Sequence, residues 1–206
     1  MISGKILFAT TNDNKIRRIK RLISDLNIEL LTLTDLQDKI EEPTETGENA
    51  LEIAKNKAKY YWEKVNQSMP VLAQDDTLDF LGNVEPQDDP SISIKGPVIK
   101  IYGEFSIKNA IDYYSKLAEK YGGEIDFAFI YGHALANENG VKGVGSSLFA
   151  KLVKDAKGVE NVGNYPLKAL TKLRIGDAFI YSDDATSEQK VFADSDIKRA
   201  LLELLE

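Results

Sequence analysis

Apolar runs alternate with amphipathic segments along the N-terminal half of this chain. Short apolar runs at 5–10, 28–33 and 70–73 predict β-strands, and the longer segments at 15–26 and 48–65 have the periodicity of helices. The resulting order is β-α-β-α-β. This order predicts an α/β protein in which helices pack on a mixed or parallel sheet.

The C-terminal half adds a helix, a β-hairpin, a last strand and a last helix. Asn139-Gly140 is a turn signal between two apolar segments, and Asp194 has the residue type of an N-cap for the final helix. Because no linker or repeat divides the chain, we expect residues 1–206 to form a single domain. The predicted elements are helix 105–121, strands 125–136, 141–153 and 176–182, and a helix ending at 205, with loops at 82–97 and 155–165.

Composition narrows the function classes. The chain has 206 residues, a net charge of −7 and no cysteine. The acidic balance argues against a partner that is a nucleic acid polymer or a membrane surface, and no apolar run approaches the roughly 20 residues of a membrane span. The lack of cysteine excludes thiolate zinc sites and cysteine nucleophiles, and it fits an intracellular protein. His133 is the only histidine, and its apolar surroundings predict a structural role.

The turn at Thr10-Thr11-Asn12-Asp13-Asn14-Lys15 is the first candidate site. It joins a predicted buried strand to a basic amphipathic helix, so hydroxyl, amide and ammonium groups meet at a helix N-terminus. Such a junction favours an anion, most naturally a phosphate. The alternative is an ordinary helix cap by Thr11 or Asn12, with Lys15 facing solvent.

Two further segments carry charged residues with a candidate role. Lys57 lies among alanines on its predicted helix, where it could reach a phosphate. Asp75 and Asp76 follow an apolar strand, a position suited to binding Mg²⁺. The alternative is an ordinary acidic turn, which would give the same sequence pattern. Glu45 stands at a predicted helix start, where acids are common because the helix dipole favours them.

Together these segments resemble the inosine triphosphate pyrophosphatase family, whose members hydrolyse non-standard purine nucleoside triphosphates. Order, spacing and strand context agree over roughly the first half of the chain. Ile53 and Gln74 stand where the family has asparagine and an acid. The matching positions are Thr10, Asn12 and Lys15 in the first motif, Glu45-Thr46-Gly47, Glu52, Ala54 and Lys57-Ala58 in the second, Asp75 and Leu78 in the third, and then Gly96-Pro97.

The second half departs further from the family pattern. Gly163-Asn164-Tyr165-Pro166 is the nearest segment to the family's glycine-rich loop, and it lacks the aspartate. Ser195 matches the serine of the family's Ser-His-Arg motif, but Asp196 and Ile197 replace the histidine and arginine. Since those two groups contact the purine base in the family, the resemblance leaves the base that this chain recognises open.

The resemblance implies an elongated mixed β-sheet flanked by helices and hydrolysis of a nucleoside triphosphate to monophosphate and pyrophosphate. It also implies Mg²⁺, with Mn²⁺ as the alternative, a homodimer and a cytoplasmic location. The competing hypothesis is a degenerate relative that binds a nucleotide, or acts as an interaction module, without hydrolysis. The implied roles are Asp75 as catalytic residue and metal ligand, Glu45 as second metal ligand, and Thr10, Thr11, Asn12, Lys15, Lys57, Asp76, Lys190 and Ser195 as substrate-binding residues.

Overall fold

A computed structural model describes residues 4–44, 46–82, 84, 85, 88, 95–163 and 165–206. Within these ranges the chain forms seven strands and six α-helices. The strands are β1 (Gly4–Phe8), β2 (Ile28–Thr32), β3 (Val71–Phe80), β4 (Glu124–Asn137), β5 (Gly140–Val153), β6 (Thr171–Ile175) and β7 (Ala178–Tyr181). The helices are α1 (Asp13–Leu22), α2 (Ala50–Lys64), α3 (Gly96–Tyr102), α4 (Ile107–Lys120), α5 (Ser187–Ala193) and α6 (Ser195–Leu205).

The strands form a mixed sheet with the order β2-β1-β3-β4-β5-β6-β7. β1 pairs in parallel with β2 and with β3, whereas β6 pairs antiparallel with β5 and with β7. The predicted mixed α/β sheet with flanking helices is therefore confirmed. None of the helices in the described ranges has both the length and the apolar character needed to cross a membrane.

The chain divides into two compact units. The first unit comprises Met1–Asp76, Ile130–Ser147 and Asp194–Glu206, and the second comprises Thr77–Phe129 and Leu148–Ala193. The prediction that the 206 residues form a single domain stays a prediction.

In the first unit, helix α2 packs closely on the sheet through small residues. Ala54 and Ala58 are fully buried against apolar side chains of β1, β3 and β4. Gly132 of β4 lies under the start of α2, where a Cβ atom would overlap the backbone of Ala50. The alanines and this glycine therefore set the short distance between helix and sheet, since larger side chains would separate them.

In the second unit, the core is aromatic. Phe127 packs edge-on against Phe80 and Phe129, with ring centroids 6.4 and 4.9 Å apart. Tyr114 on α4 is fully buried, and Ser106 caps that helix by accepting a hydrogen bond from the backbone N–H of Asn109 at 3.1 Å. These aromatic side chains supply much of the buried apolar surface of this unit.

Several elements differ from their predicted form. β3 has ten residues instead of the predicted four, because the strand continues through the polar residues Gln74-Asp75-Asp76. β6 and α5 lay outside the predicted set, and loop 155–165 contains a 3₁₀ turn at Val159–Asn161. Most of the predicted loop 82–97 falls outside the described residues.

Candidate active site

The turn after β1 is built around the N-terminus of α1. Thr10 Oγ1 accepts a hydrogen bond from the backbone N–H of Asn12 at 3.2 Å. Asn12 Oδ1 accepts from the backbone N–H groups of Asn14 and Lys15 at 2.9 and 3.3 Å, so Asn12 is the N-cap of α1. The helix cap by Asn12 is confirmed, and Thr11 beside it is exposed. Lys15 does not face solvent as that alternative predicted, because it pairs with Asp76. The cap also fixes the positive end of the helix dipole at this turn, as a phosphate site requires.

Lys15 in the first turn of α1 forms an ion pair with Asp76 of β3. The two side chains are partly buried, with 23% and 27% of their surfaces exposed. β3 lies parallel to β1 and extends past its end, which brings Asp76 to the turn at Thr10. Two motifs separated by about sixty residues in sequence therefore meet through one ion pair.

Lys57 forms the second ion pair. Its Nζ donates to Asp75 Oδ2 at 2.6 Å, and the two side chains are only 19% and 14% exposed. The other carboxylate oxygen of Asp75 accepts the backbone N–H of Asp76 at 2.9 Å. Lys57 lies between Ala54 and Ala58 on the face of α2 that packs on the sheet, so a partner on the sheet explains a lysine among alanines.

Asp75 and Asp76 lie inside a strand, not after it as predicted. Successive side chains of a strand point to opposite faces of the sheet, so Asp75 points toward α2 and Asp76 toward α1. Each carboxylate consequently has its own lysine. The two acids form two separate ion pairs and not a single acidic turn.

The Glu-Thr-Gly segment leads into α2. Glu45 lies outside the described residues, so its predicted role as a metal ligand stays a prediction. Thr46 is held against α2, because Asn56 Nδ2 donates to the Thr46 carbonyl oxygen at 2.7 Å. Gly47 has φ +145°, and a Cβ atom there would lie 2.8 Å from the backbone nitrogen of Ile53. Glycine is therefore required for the segment to turn this tightly over the helix.

The donor chemistry of the site fits Mg²⁺ or Mn²⁺. Asp75 supplies hard carboxylate oxygen, and magnesium in phosphate-transfer sites needs only one or two carboxylates together with phosphate oxygens. Among the described residues there is no cluster of three acidic or imidazole side chains that could enclose a metal by themselves. A metal at Asp75 would thus need ligands from a substrate or from residues beyond that set.

Ser195, Asp196 and Ile197 begin helix α6. Ser195 is exposed, whereas Ile197 is fully buried in the core. Asp196 accepts hydrogen bonds from the backbone N–H of Ser147 at 2.9 Å and from Arg199 Nε at 2.8 Å. Burial raises the pKa of Asp196, but these two donors lower it more, so the pKa lies below its usual value. Asp196 is therefore an ionised carboxylate at the N-terminus of a helix.

Lys190 lies in α5, in the second compact unit. Its side chain is half-buried, and its backbone N–H donates to the Thr186 carbonyl at 3.0 Å. The structure thus brings Thr10, Lys15, Lys57, Asp75 and Asp76 together within one unit, and it places Lys190 in the other.

A buried carboxylate between two arginines was not anticipated from the sequence. Asp194 is in the predicted N-cap position of α6, yet its side chain does not cap that helix. Its Oδ2 accepts from Arg21 at 2.7 Å and lies 3.6 Å from Arg18 Nε, and its side chain is 5% exposed. Arg18 also donates to the Tyr131 hydroxyl at 2.7 Å. Arg18 follows Lys15 by three positions on α1, so the two side chains lie on the same face of the helix. This spacing is the one feature of the sequence that could have indicated Arg18 as part of the site.

A row of interacting polar side chains on neighbouring strands lies beside Asp75. His133 Nδ1 lies 3.4 Å from Gln74 Nε2, and His133 Nε2 lies 2.7 Å from Ser146 Oγ. Burial, together with the charges of Arg18 and Lys15, lowers the pKa of His133 to about 4. The imidazole is therefore neutral near pH 7, and the predicted structural role of His133 is consistent with its complete burial.

Comparison with known proteins gives a sequence match confined to the N-terminal region. A sequence model described as the Ham1 family matches residues 6–84. The dITP/XTP pyrophosphatase of Haemophilus influenzae is 39% identical over 74 residues, and that of Aquifex aeolicus is 42% identical over 74 residues. These alignments cover 36% of this chain, and 36% and 34% of the two relatives. The chain thus spans about a third of the curated relatives that it matches.

Solved structures match over nearly the whole chain. A HAM1 protein from Coxiella burnetii superposes with a TM-score of 0.65 at 17% identity, covering 97% of this chain and 98% of that one. A nucleoside-triphosphatase / dITP/XTP pyrophosphatase from Mycobacterium abscessus gives 0.62 at 20% identity, covering 98% of both chains. At this level of identity the likeness concerns the fold.

Proposed function

We propose that this chain is a member of the Ham1 family, whose sequence model matches residues 6–84, and that it is a metal-dependent nucleoside triphosphate pyrophosphohydrolase. The reaction converts a nucleoside triphosphate and water to the nucleoside monophosphate and pyrophosphate. The named relatives are dITP/XTP pyrophosphatases, and the matched region contains the Thr10 turn, Lys57 and Asp75. The activity is proposed for this chain on that shared region.

One observation carries the proposal: two lysine–aspartate pairs lie at adjacent positions of one strand. Lys15 with Asp76 and Lys57 with Asp75 lie on opposite faces of β3, and the first pair reaches the N-terminus of α1. A triphosphate needs several cationic and N–H donors in one place, and its metal needs a carboxylate beside them. Both requirements are met by neighbouring residues of one compact unit.

The roles of the residues follow from their chemistry. Thr10, Thr11, Asn12, Lys15 and Lys57 hold the phosphate oxygens by hydrogen bonds and charge, with Asp76, Lys190 and Ser195 as further substrate contacts. Asp75, with Glu45, would hold Mg²⁺ or Mn²⁺. The bound metal would neutralise phosphate charge and lower the pKa of water. Asp75 accepts the proton of the water whose oxygen attacks the α-phosphorus, as the bond between the α-phosphorus and the bridging oxygen breaks and pyrophosphate leaves.

The base specificity departs from that of the relatives. The two positions of the family motif that contact a purine hold Asp196 and Ile197, and Ile197 is buried in the core. An ionised carboxylate accepts hydrogen bonds and repels keto oxygens, so Asp196 favours a base edge with N–H donors. The proposed substrate is a non-standard nucleoside triphosphate with such an edge. The homodimer and the cytoplasmic location are implied by the resemblance alone.

A panel of nucleoside triphosphates tests the proposal. Standard and deaminated triphosphates are incubated with Mg²⁺ or Mn²⁺, and pyrophosphate and monophosphate are quantified. We expect release from at least one substrate, at a rate that depends on the metal. Lack of pyrophosphate release across the whole panel with both metals would overturn the enzymatic proposal.

A second candidate is a protein that binds a nucleotide without hydrolysing it. It is favoured by the replacements at Ile53 and Gln74, and by the protein donors that already engage Asp196. Calorimetry with the same triphosphates separates the two functions. Tight binding without turnover selects the binding protein, whereas turnover selects the hydrolase.

A further inference from the structure

Each lysine of the proposed phosphate site is already bound to an aspartate. Lys57 Nζ lies 2.6 Å from Asp75 Oδ2, and both groups are less than one fifth exposed. Lys15 pairs with Asp76 in the same way at slightly greater exposure. The ammonium of Lys57 therefore occupies the side of the Asp75 carboxylate on which a metal would otherwise place its charge.

This pairing lowers the affinity of the site for a metal ion or a triphosphate that binds without the other. A free divalent cation must displace Lys57 from Asp75, which leaves a partly buried ammonium beside the cation. A free triphosphate that draws Lys57 away leaves a partly buried carboxylate beside a polyanion. Both outcomes place like charges together in a region of reduced solvent exposure, where repulsion is poorly screened.

A metal and a triphosphate that arrive together avoid this penalty, because the partners exchange. Asp75 passes from Lys57 to the metal, and Lys57 passes from Asp75 to a phosphate oxygen. Every charge keeps an opposite charge as its neighbour. We propose that Lys57 is the counter-ion of Asp75 before any ligand binds. The site therefore binds the metal complex of a triphosphate and discriminates against the free metal and the free nucleotide.

The inference rests on the proposed function, but it concerns binding and not turnover. If Lys57 acts in this way, binding of the metal and binding of the nucleotide are coupled through one side chain, and a coupling free energy measures the effect. The first consequence is that removal of the Lys57 charge strengthens binding of the metal alone. The second is that the same change weakens binding of the nucleotide.

The experiment measures Mn²⁺ binding without nucleotide, by the electron paramagnetic resonance signal of the free ion. Lys57→Met and Lys57→Gln are compared with the unaltered protein. Lys59→Met is the matched control, because Lys59 is exposed on the same helix. We expect both Lys57 variants to bind Mn²⁺ at least about ten-fold more tightly, and the control to be unchanged, since the Lys57 ammonium at Asp75 opposes the ion and the exposed Lys59 does not pair with Asp75 among the described contacts. Unchanged or weaker Mn²⁺ binding in both Lys57 variants would overturn the inference.

A second arm uses a triphosphate with a methylene bridge between the α and β phosphorus atoms, which resists cleavage at that position. Its calorimetric affinity is measured with and without Mn²⁺. The ratio of the two affinities should fall in the Lys57 variants and persist in Lys59→Met. A ratio that is the same in all the proteins contradicts the inference. Failure of the substrate panel would contradict the proposed function alone, because neither binding readout requires turnover.

Discussion

At the scale of single residues, the site depends on positions where only one side chain fits. Gly47 combines a left-handed φ with a backbone nitrogen 2.8 Å from where a Cβ would stand. Lys57 is the only charged residue on the alanine face of α2 between Ala54 and Ala58. The sequence predicted a lysine that could reach a phosphate, but it could not predict Asp75 as its partner. That pairing depends on which face of the sheet the Asp75 side chain points to, and this could not be predicted because β3 is longer than the hydrophobic pattern indicated.

Gly47→Ala should destabilise the protein by about 1–3 kcal/mol, because the methyl group meets the Ile53 backbone in a strained conformation. Urea denaturation measures the change. Gly82→Ala is the control, since Gly82 has φ +131° but open space around its Cβ position. Equal losses in both variants would mean that the conformation alone, and not the contact with α2, requires glycine at 47.

At the scale of elements, α1 and α6 are joined through Asp194 and its two arginines. The sequence predicted Asp194 correctly as the residue before α6, but the reason for its presence is different. Its carboxylate binds Arg21 and approaches Arg18 instead of the N–H groups of its own helix. Local sequence signals predict caps well, whereas a contact between residues 173 positions apart depends on tertiary packing.

Asp194→Ala should lower the free energy of unfolding by about 2–4 kcal/mol, because it leaves two partly buried arginines without their carboxylate. Thermal or urea denaturation provides the measurement. Asp25→Ala is the matched control, since it removes the partner of Lys198 at the protein surface, and we expect little change there. A comparable loss in both variants would argue against the buried pair as the main connection between α1 and α6.

The strands β3, β4 and β5 are connected by His133, and this connection predicts a pH dependence. Burial lowers the pKa of His133 to about 4 in the folded protein, from a usual value near 6.5. Between these two values the unfolded chain binds a proton that the folded protein does not, so stability falls as pH falls from 6.5 toward 4. His133→Asn should have a shallower fall, by up to about 3 kcal/mol across this range. Urea denaturation at a series of pH values measures it, and parallel curves for both proteins would contradict the assignment.

At the scale of the whole molecule, the α/β class and the mixed sheet were predictable from the sequence. The order of short apolar runs and amphipathic segments carried that information. The full length of β3 was harder to predict, since this strand continues through Gln74-Asp75-Asp76 where the hydrophobic pattern stops. Side-chain pairing, not hydrophobicity, keeps that part of the strand inside the protein.

The single-domain prediction can be tested through the only tryptophan. Trp62 lies in the first compact unit, so its fluorescence reports that unit, whereas far-UV circular dichroism reports the helices and strands of both. If residues 1–206 are one cooperative domain, the two urea transitions should coincide. Two separate midpoints would show that the units unfold independently.

If Asp75 lies at a reaction centre for nucleoside triphosphates, its amide variant should lose activity while an exposed acid of the same strand should be dispensable. Pyrophosphate release is measured for the unaltered protein, for Asp75→Asn and for Asp79→Asn, which changes an exposed acid of the same strand. We predict metal-dependent release that drops about 100-fold or more in Asp75→Asn and stays near the original rate in Asp79→Asn. Full activity in a folded Asp75→Asn protein would show that Asp75 does not lie at the reaction centre.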